Sequence, residues 1–159
     1  MSVKDFDHKK ILRHLLAKDE LSMLNFLAAT HYKNEDKDIA VDILYGIKEY
    51  IERNVVDYEG ISAMYTTVLY NLSKFIGLAG DYSKTIELCD IGIKNCLKWG
   101  RCINFPRLLL NKGYALTKQG SKEEATKILE ESFYLYRSMG KLQSCENVKQ
   151  FAIEHGITI

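Results

Sequence analysis

Two asparagines lie forty residues apart, in segments of this chain that are alike. Asn71 stands in the stretch LYNLSKF, and Asn111 stands in the stretch LLNKGYAL. An Asn amide carries a hydrogen-bond donor and an acceptor, which match the C=O and N–H groups of an extended peptide backbone. Two of them at one register can hold a peptide without reading its sequence. The alternative is that each Asn bonds a neighbouring part of the same protein.

Cationic and aromatic side chains lie near both asparagines. Lys74, Arg107 and Lys118 are expected to bind a peptide carboxylate or an acidic side chain. Tyr70 and Tyr114 are expected to supply apolar walls. The alternative for the cations is an ordinary solvated helix face. The predicted peptide-binding residues are therefore Asn71, Asn111, Tyr70, Lys74, Arg107, Tyr114 and Lys118, with Thr67, Leu78 and Leu110 on the same face.

The segments that carry these residues repeat with a period of forty. Equivalent positions are Leu69 and Leu109, Asn71 and Asn111, Gly80 and Gly120, and Gly100 and Gly140. Self-similarity at a period of this size is typical of arrays of helical hairpins, in which each unit buries its apolar face by stacking on the next. Such arrays usually bind other molecules, so a binding function is favoured over catalysis.

The apolar spacing predicts helices throughout. Residues recur at i, i+3, i+4 and i+7, no segment alternates like a strand, and the chain has one Pro in 159 residues. We predict a single all-α domain over residues 1–159. It comprises an N-terminal helix over 1–17, an irregular hairpin over 18–53, regular hairpins over 58–100 and 104–140, and a capping helix over 141–155.

The ends of these helices carry recognisable signals. Gly80 and Gly120 are predicted to end their helices in the left-handed conformation. The predicted N-caps are Asp81, Asn104 with Pro106 in the following turn, and Ser121 with Glu124 as a capping box.

Composition excludes several classes of partner. The 22 basic residues nearly balance the 21 acidic ones, so no field that would attract nucleic acid or an anionic membrane is expected. No apolar run approaches the roughly 20 residues of a membrane span, and the first residues, MSVKDFDHKK, do not resemble a signal peptide. We expect a cytoplasmic protein that contacts neither membrane nor DNA directly.

No residue set predicts catalysis or a metal site. Cys89, Cys96, Cys102 and Cys145 include no C-x-x-C pair, which favours reduced thiols in the core over metal or redox use. The four histidines form no constellation with a nucleophile or a carboxylate; they are His8, His14, His31 and His155. The sequence therefore predicts no catalytic residue, no metal and no cofactor, and the protein is not expected to be an enzyme.

The hairpins resemble tetratricopeptide repeats, abbreviated TPR. One copy follows the repeat's pattern at Leu69, Leu72, Ser73, Ile76, Gly80, Tyr82, Cys89 and Gly92, and the next at Leu109, Gly113, Leu116, Gly120, Ala125 and Ser132. The period departs from the common 34 residues, and Thr85 replaces the usual Ala. This resemblance implies a right-handed superhelix of TPR-like hairpins, whose first helices line a concave face.

Three stretches are similar to a narrower group. These are LYNLSKFIG followed by GDY, the segment Cys89 to Cys96, and LLNKGYAL. They resemble the repeat domain of the Rgg, NprR, PlcR and PrgX regulators of Gram-positive bacteria, which join a helix-turn-helix domain to repeats that bind a signalling peptide. The resemblance implies a peptide-sensing domain, a homodimer and, since nothing here resembles the DNA-binding half, no direct nucleic-acid contact. The alternative is a general interaction scaffold or adaptor with no role in transcription.

Overall fold

The computed structural model describes residues 16–54, 60–100 and 103–159, and those ranges contain only helices and turns. The predicted all-α fold is confirmed. The helix predicted over 1–17 lies outside the described residues except for Leu16 and Ala17, which are not helical. Cys102 also lies outside them. The described helices are α1 (Lys18–Lys33), α2 (Lys37–Asn54), α3 (Ser62–Leu78), α4 (Tyr82–Trp99), α5 (Phe105–Lys118), α6 (Lys122–Ser138) and α7 (Leu142–Glu154).

Short turns fold consecutive helices back on each other. Three residues connect α1 to α2, α3 to α4, α5 to α6 and α6 to α7, a length typical of antiparallel helical hairpins. Each helix packs on the next one in the chain. In addition α1 packs on α3, and α3 packs on α5. The first helices of the three hairpins therefore form one layer, and this layer carries both Asn71 and Asn111.

Glycines end α3 and α5 as the sequence predicts. Gly80 has φ +97° and Gly120 has φ +84°, both in the left-handed region. After each glycine the chain closes the turn with a backbone bond, from Asp81 N to Ile76 O and from Ser121 N to Leu116 O. The turns then lead directly into the second helix of each hairpin.

Replacing Gly80 or Gly120 with Val is expected to lower the free energy of unfolding by about 1 to 2 kcal/mol, because a Cβ is strained at positive φ. No atom lies within 4 Å of either Cβ position, so the effect isolates backbone strain from steric overlap. Thermal denaturation followed by circular dichroism measures it. Gly60→Val is the control, since Gly60 is equally open and its φ is not in this range. Unchanged melting temperatures for both variants would contradict the prediction.

The predicted N-caps are only partly confirmed. Asp81 caps α4 by accepting a bond from the Lys84 N–H at 2.9 Å. Asn104 precedes α5 but makes no cap bond to its backbone. Its amide nitrogen donates to Thr67 Oγ1 at 2.8 Å, and its Oδ1, the atom that would cap the helix, accepts from Arg107 Nη1 at 3.3 Å. The capping box of Ser121 and Glu124 was predicted wrongly, because Ser121 makes no side-chain cap bond to α6. Ser121 is exposed, and at an exposed helix end water can bond the backbone N–H groups of the first turn in place of a capping side chain.

Small residues let neighbouring helices approach closely. A Cβ at Gly92 would lie 2.7 Å from Leu108 Cδ1, and one at Gly113 would lie 2.6 Å from Leu129 Cδ2. Both leucines are fully buried. At Gly77 the corresponding neighbour is Thr85 Oγ1 at 3.1 Å, so the Thr that departs from the repeat pattern fits because a glycine faces it. These contacts set the distances α3–α4, α4–α5 and α5–α6.

Candidate peptide-binding groove

Two adjoining cavities lie between α3, α5 and α7. One has a volume of about 210 Å³ and the other of about 390 Å³. Both are lined by Lys74, Leu110, Asn111 and Asn147, so together they form one depression, which we call the groove. Its floor is formed by the layer of first helices, and α7 forms one wall.

The two cavities differ in chemistry. The larger one has a polar lining and includes Tyr70, Arg107, Tyr136 and Ser144 besides the shared residues. The smaller one is more apolar and adds, among others, Gly77, Leu78, Tyr114 and Phe151. A ligand that fills the groove therefore meets hydrogen-bonding and cationic groups at one end and aromatic or aliphatic surface at the other.

Five of the seven residues predicted from the sequence line this groove. They are Tyr70, Lys74, Arg107, Asn111 and Tyr114. Asn71 and Lys118 do not line either cavity. Asn71 lies towards α1, and Lys118 lies at the last residue of α5. The structure thus brings together most of the predicted set around Asn111 alone.

The amide donors of both asparagines bond the preceding hairpin. Asn71 Nδ2 donates to Asn25 Oδ1 at 3.0 Å. Asn111 Nδ2 donates to Tyr70 O at 3.1 Å and to Ser73 Oγ at 2.9 Å. These bonds match the alternative interpretation, in which each Asn bonds a neighbouring repeat of the same protein. Within the described ranges no protein donor reaches the Oδ1 atom of Asn71 or Asn111, so each oxygen remains available as an acceptor.

Arg107 is held over the ring of Tyr70. Its Cζ atom lies 5.5 Å from the ring centroid, within the range of a cation–π contact. Arg107 Nη1 also donates to Asn104 Oδ1 at 3.3 Å. The guanidinium therefore has a defined position, although Arg107 is exposed and retains further N–H donors for a ligand.

The positive charge in the groove is not balanced locally. Lys74 is exposed, and neither it nor Arg107 forms an ion pair with a carboxylate of the described residues. No Asp or Glu lines either cavity of the groove. Unpaired cations beside apolar walls attract an anionic group more strongly than the same charges do on an open surface.

Lys118 points to α7 instead of into the groove. Its Nζ lies 5.6 Å from the centroid of the Tyr114 ring and 3.2 Å from His155 Nε2. His155 Nδ1 lies 2.9 Å from Phe151 O and must carry the proton, because a carbonyl oxygen only accepts. His155 Nε2 consequently accepts from Lys118. This contact joins the end of α5 to the end of α7.

Burial affects the pKa values of two tyrosines of the groove. Burial raises the pKa of Tyr136, an effect that the nearby Arg107 guanidinium opposes. Burial also raises the pKa of Tyr114, and Tyr82 beside it acts in the same direction. A tyrosine hydroxyl is protonated at neutral pH without any such shift, so both hydroxyls can donate hydrogen bonds.

Several groove residues escaped the sequence analysis. Ser144, Asn147 and Phe151 lie at i, i+3 and i+7 on α7, a spacing that places them on one helix face. Asn147 stands nine residues before Gly156, as Asn71 stands before Gly80 and Asn111 before Gly120, but it follows Asn111 by 36 residues, so a fixed shift of forty did not reach it. Asn25 was missed because it precedes Asn71 by 46 residues and not forty.

The described residues offer no other site chemistry. Cys89, Cys96 and Cys145 are buried in the core, the position that the sequence favoured for them, and form no disulfide in the described residues. Burial raises the pKa of the Cys89 thiol to about 12, which makes it a poor nucleophile. In the described ranges no cluster of His, Cys, Asp and Glu is arranged to hold a metal ion, and no described helix is long and apolar enough to cross a bilayer.

Stacked helical hairpins, each packed on its neighbours, define a helical-repeat fold. Comparison with solved structures narrows this to TPR-like repeats. The chain is similar to the nearly identical TPR-like repeats of a protein from Podosopora anserina described as a kinesin light chain, and to a variant of that protein. TM-scores are 0.62 and 0.64, identity is 13%, and each match covers 90% of this chain and 74% of the other. No protein-family model and no curated protein sequence matches the chain.

Proposed function

We propose that this chain is a protein-interaction module whose groove binds an extended, acidic segment of a partner protein or a short acidic peptide. The observation that carries the proposal is the pair of cations, Lys74 and Arg107, in a groove that no Asp or Glu lines. The TPR-like fold supports it, because helical-repeat arrays use such surfaces for binding.

Each part of the groove has a separate task in this proposal. Lys74 and Arg107 bind a carboxylate of the ligand, with the planar guanidinium able to form two parallel bonds. Asn111 uses its free Oδ1 atom to accept one backbone N–H, while its amide donors stay with the preceding hairpin. Asn147 offers a second amide on the opposite wall. Tyr114 and Phe151 pack against an apolar side chain of the ligand.

Asn71 and Lys118 extend the proposed site on either side of the groove. A ligand longer than the groove reaches the Oδ1 atom of Asn71 near α1, or passes Tyr114 to reach Lys118. Both residues belong to the flanks, so their replacement is expected to affect long peptides more than short ones. Replacing Asn111 removes bonds between hairpins, each worth about 1 kcal/mol, in addition to any contact with a ligand.

Replacing Ser144 with Trp is expected to weaken peptide binding roughly a hundredfold, because the indole fills the polar cavity that the ligand needs. Ligands are first selected by their binding to the wild-type chain from randomised decapeptides with a free C-terminal carboxylate. Calorimetry then compares the affinities of the wild type and of Ser144→Trp for these peptides. Ser138→Trp is the matched control, since Ser138 is exposed at the end of α6 and outside the groove. Failure of the wild type to select any peptide, or equal binding by all three proteins, would contradict the proposal.

A narrower form of the proposal makes the chain the peptide-sensing domain of a transcription regulator of the Rgg, NprR, PlcR and PrgX type. Its support is the resemblance of the stretches around Asn71, Cys89 and Asn111, and the groove provides a place for a peptide. An in-frame helix-turn-helix segment upstream in the gene would support this form. A general scaffold is the alternative, and partners that lack any link to transcription would favour it.

A further inference from the structure

One side of α7 exposes large apolar side chains to solvent. Leu142 is 74% exposed and Ile153 is 69% exposed, and Lys149 lies between them along the helix. These three residues are spaced seven and four apart, so they share one side of the helix, which we call the α7 face. The buried residues Val148 and Ala152 lie on a different side, and the groove residues of α7 lie opposite the α7 face.

The position of α7 in the array is that of a first helix. Gly156 follows the end of α7 at φ +65°, and Asn147 precedes it by nine residues, the same spacing as between Asn111 and Gly120 on α5. Both the Asn and the Gly lie 36 residues after their counterparts. A shift of 36 residues therefore places α5 on α7, and α7 corresponds to the first helix of a fourth hairpin.

The α7 face lies where the third hairpin places its second helix. With the shift of 36 residues, Leu142 corresponds to Pro106 and Lys149 to Gly113, and both α5 residues are buried. The carbonyl of Pro106 accepts a bond from Ser132 Oγ of α6 at 2.7 Å, and Gly113 lies directly under the same helix. The same positions on α7 are exposed or half-buried.

The correspondence extends to Ile153. Its counterpart on α3 is Gly77, which is buried, and a Cβ at Gly77 would lie 3.1 Å from Thr85 Oγ1 on α4. The α7 face thus repeats, position by position, surfaces that the earlier hairpins cover with an antiparallel helix. Exposed apolar residues at such positions mark an interaction site for a helix.

The packing of α6 on α5 gives the spacing of the contact residues. Leu129 of α6 contacts Gly113, and Ser132 contacts Pro106. Ala125 of α6 corresponds to Thr85, the residue of α4 that meets Gly77. A helix that covers the α7 face in the same way has its contact residues at positions k, k+4 and k+7, which face Ile153, Lys149 and Leu142 in that order.

Lys149 determines the charge of the helix that fits. The residues at its register, Ser73 and Gly113, are small and buried, whereas Lys149 is half-buried and charged. Its Nζ lies 5.2 Å from the centroid of the Phe133 ring and forms no ion pair with a carboxylate of the described residues. Covering this cation is costly unless an anion faces it. A hydrated charge within the contact is typical of partners that bind reversibly, since their interfaces are no more apolar than the rest of the surface.

We infer that the α7 face binds an amphipathic helix of a partner protein, which lies antiparallel to α7 as α6 lies on α5. Its contact residues at k, k+4 and k+7 are apolar, acidic and apolar. The α7 face and the groove share no residue, so the inference does not depend on the proposed function.

A library of helices tests the predicted contact residues. An alanine-rich helix of 17 residues, the length of α6, is randomised at k, k+4 and k+7, displayed on phage and selected for binding to the wild-type chain. We expect enrichment of Asp or Glu at k+4 and of Leu, Ile, Val or Met at the two outer positions. Failure to select any helix, or enrichment of basic or apolar residues at k+4, would overturn the inference.

Ile153→Asp is expected to weaken binding of the selected helix at least thirtyfold, because it places a carboxylate opposite an apolar residue. Leu97→Asp is the matched control, since Leu97 is 65% exposed on α4 and outside the α7 face; it is expected to bind as the wild type does. Fluorescence anisotropy of the labelled helix measures binding, and circular dichroism verifies the fold of both variants. Equal losses from both replacements would contradict the inference.

A charge exchange tests the central contact. Lys149→Glu is expected to weaken binding of the selected helix about tenfold, and a helix with Lys at k+4 is expected to restore the affinity. Absence of this rescue would overturn the inference. Loss of binding when Lys74 and Arg107 are both replaced by Glu would do the same, because it would place the helix in the groove.

Two other occupants of the α7 face have their own signatures. A wild-type dimer that Ile153→Asp converts to a monomer in sedimentation velocity would assign the face to a second copy of the chain. A helix with the predicted spacing encoded in frame directly after Ile159 would assign it to the same polypeptide. Either result would overturn the assignment to a partner protein.

Discussion

Replacing Gly113 with Val is expected to lower the free energy of unfolding by about 3 kcal/mol, because the buried interface of α5 and α6 has no room for the new atoms. A Cβ at this position would lie 2.6 Å from Leu129 Cδ2 and 2.8 Å from Leu129 Cγ. Leu129 is fully buried and cannot swing out to solvent. The better helix propensity of Val over Gly returns only a few tenths of a kcal/mol, so steric overlap decides the sign.

Urea denaturation measures this loss as a lower midpoint with an unchanged slope. Glu131→Val controls for a β-branched residue in a helix, since Glu131 is exposed on α6. The double variant Gly113→Val/Leu129→Ala tests the cause. Removing the leucine side chain opens the space that Val needs. The double variant is therefore expected to lose less unfolding free energy than the two single variants lose together, by about 1 kcal/mol or more. Strict additivity would show that the two side chains do not compete for space.

Reversing both groove charges, Lys74→Glu with Arg107→Glu, is expected to weaken binding of the selected acidic peptides roughly a hundredfold, or about 3 kcal/mol. The double variant replaces two attractive contacts with two repulsive ones beside a carboxylate. Both side chains are exposed and carry no ion pair in the described ranges, so the fold is expected to persist. Calorimetry against the peptides chosen by the wild type gives the difference.

The matched control reverses two exposed cations outside the groove, Lys94→Glu with Lys141→Glu, and therefore makes the same change in net charge. It is expected to bind almost as the wild type does. Salt provides a second measurement: wild-type affinity is expected to fall as ionic strength rises, whereas the neutral variant Lys74→Gln with Arg107→Gln loses most of that dependence. Equal weakening by the control pair would attribute the effect to net charge and not to the groove.

The repeat predicted the fold because the same physical constraint recurs in each hairpin. Gly80 and Gly120 stand where the chain needs a positive φ, and Gly113 stands where two helices touch. Such positions admit few residue types, so Gly80 and Gly120 recur forty residues apart, and Gly113 has another small residue, Ser73, at the equivalent position. The helix N-caps were less predictable, because water or a side chain distant in the sequence can bond the same groups, the backbone N–H groups of the first turn or the capping side chain itself. Asn104 illustrates this, since its Oδ1, the atom expected to cap α5, accepts from the Arg107 side chain instead.

The candidate site was predictable only where it belongs to the repeat. Tyr70, Lys74, Arg107, Asn111 and Tyr114 lie on first helices, and their side of the helix followed from periodicity. The contribution of α7 was missed because Asn147 repeats the register of Asn111 at a spacing of 36 residues and not of forty. The bonding of the asparagines likewise depends on the distance between hairpins. That distance is set by the buried small residues and not by the asparagines themselves.

The amides of Asn71 and Asn111 have a mechanical consequence. Each connects the first helix of one hairpin to the first helix of the hairpin before it, on the side of the array that carries the groove. Relative motion of neighbouring hairpins on that side must stretch or break these hydrogen bonds, each worth about 1 kcal/mol. A ligand that engages the oxygen of Asn111 shares a side chain with these bonds. If the proposed ligand binds there, filling the groove would act on the same side chain that holds the third hairpin to the second.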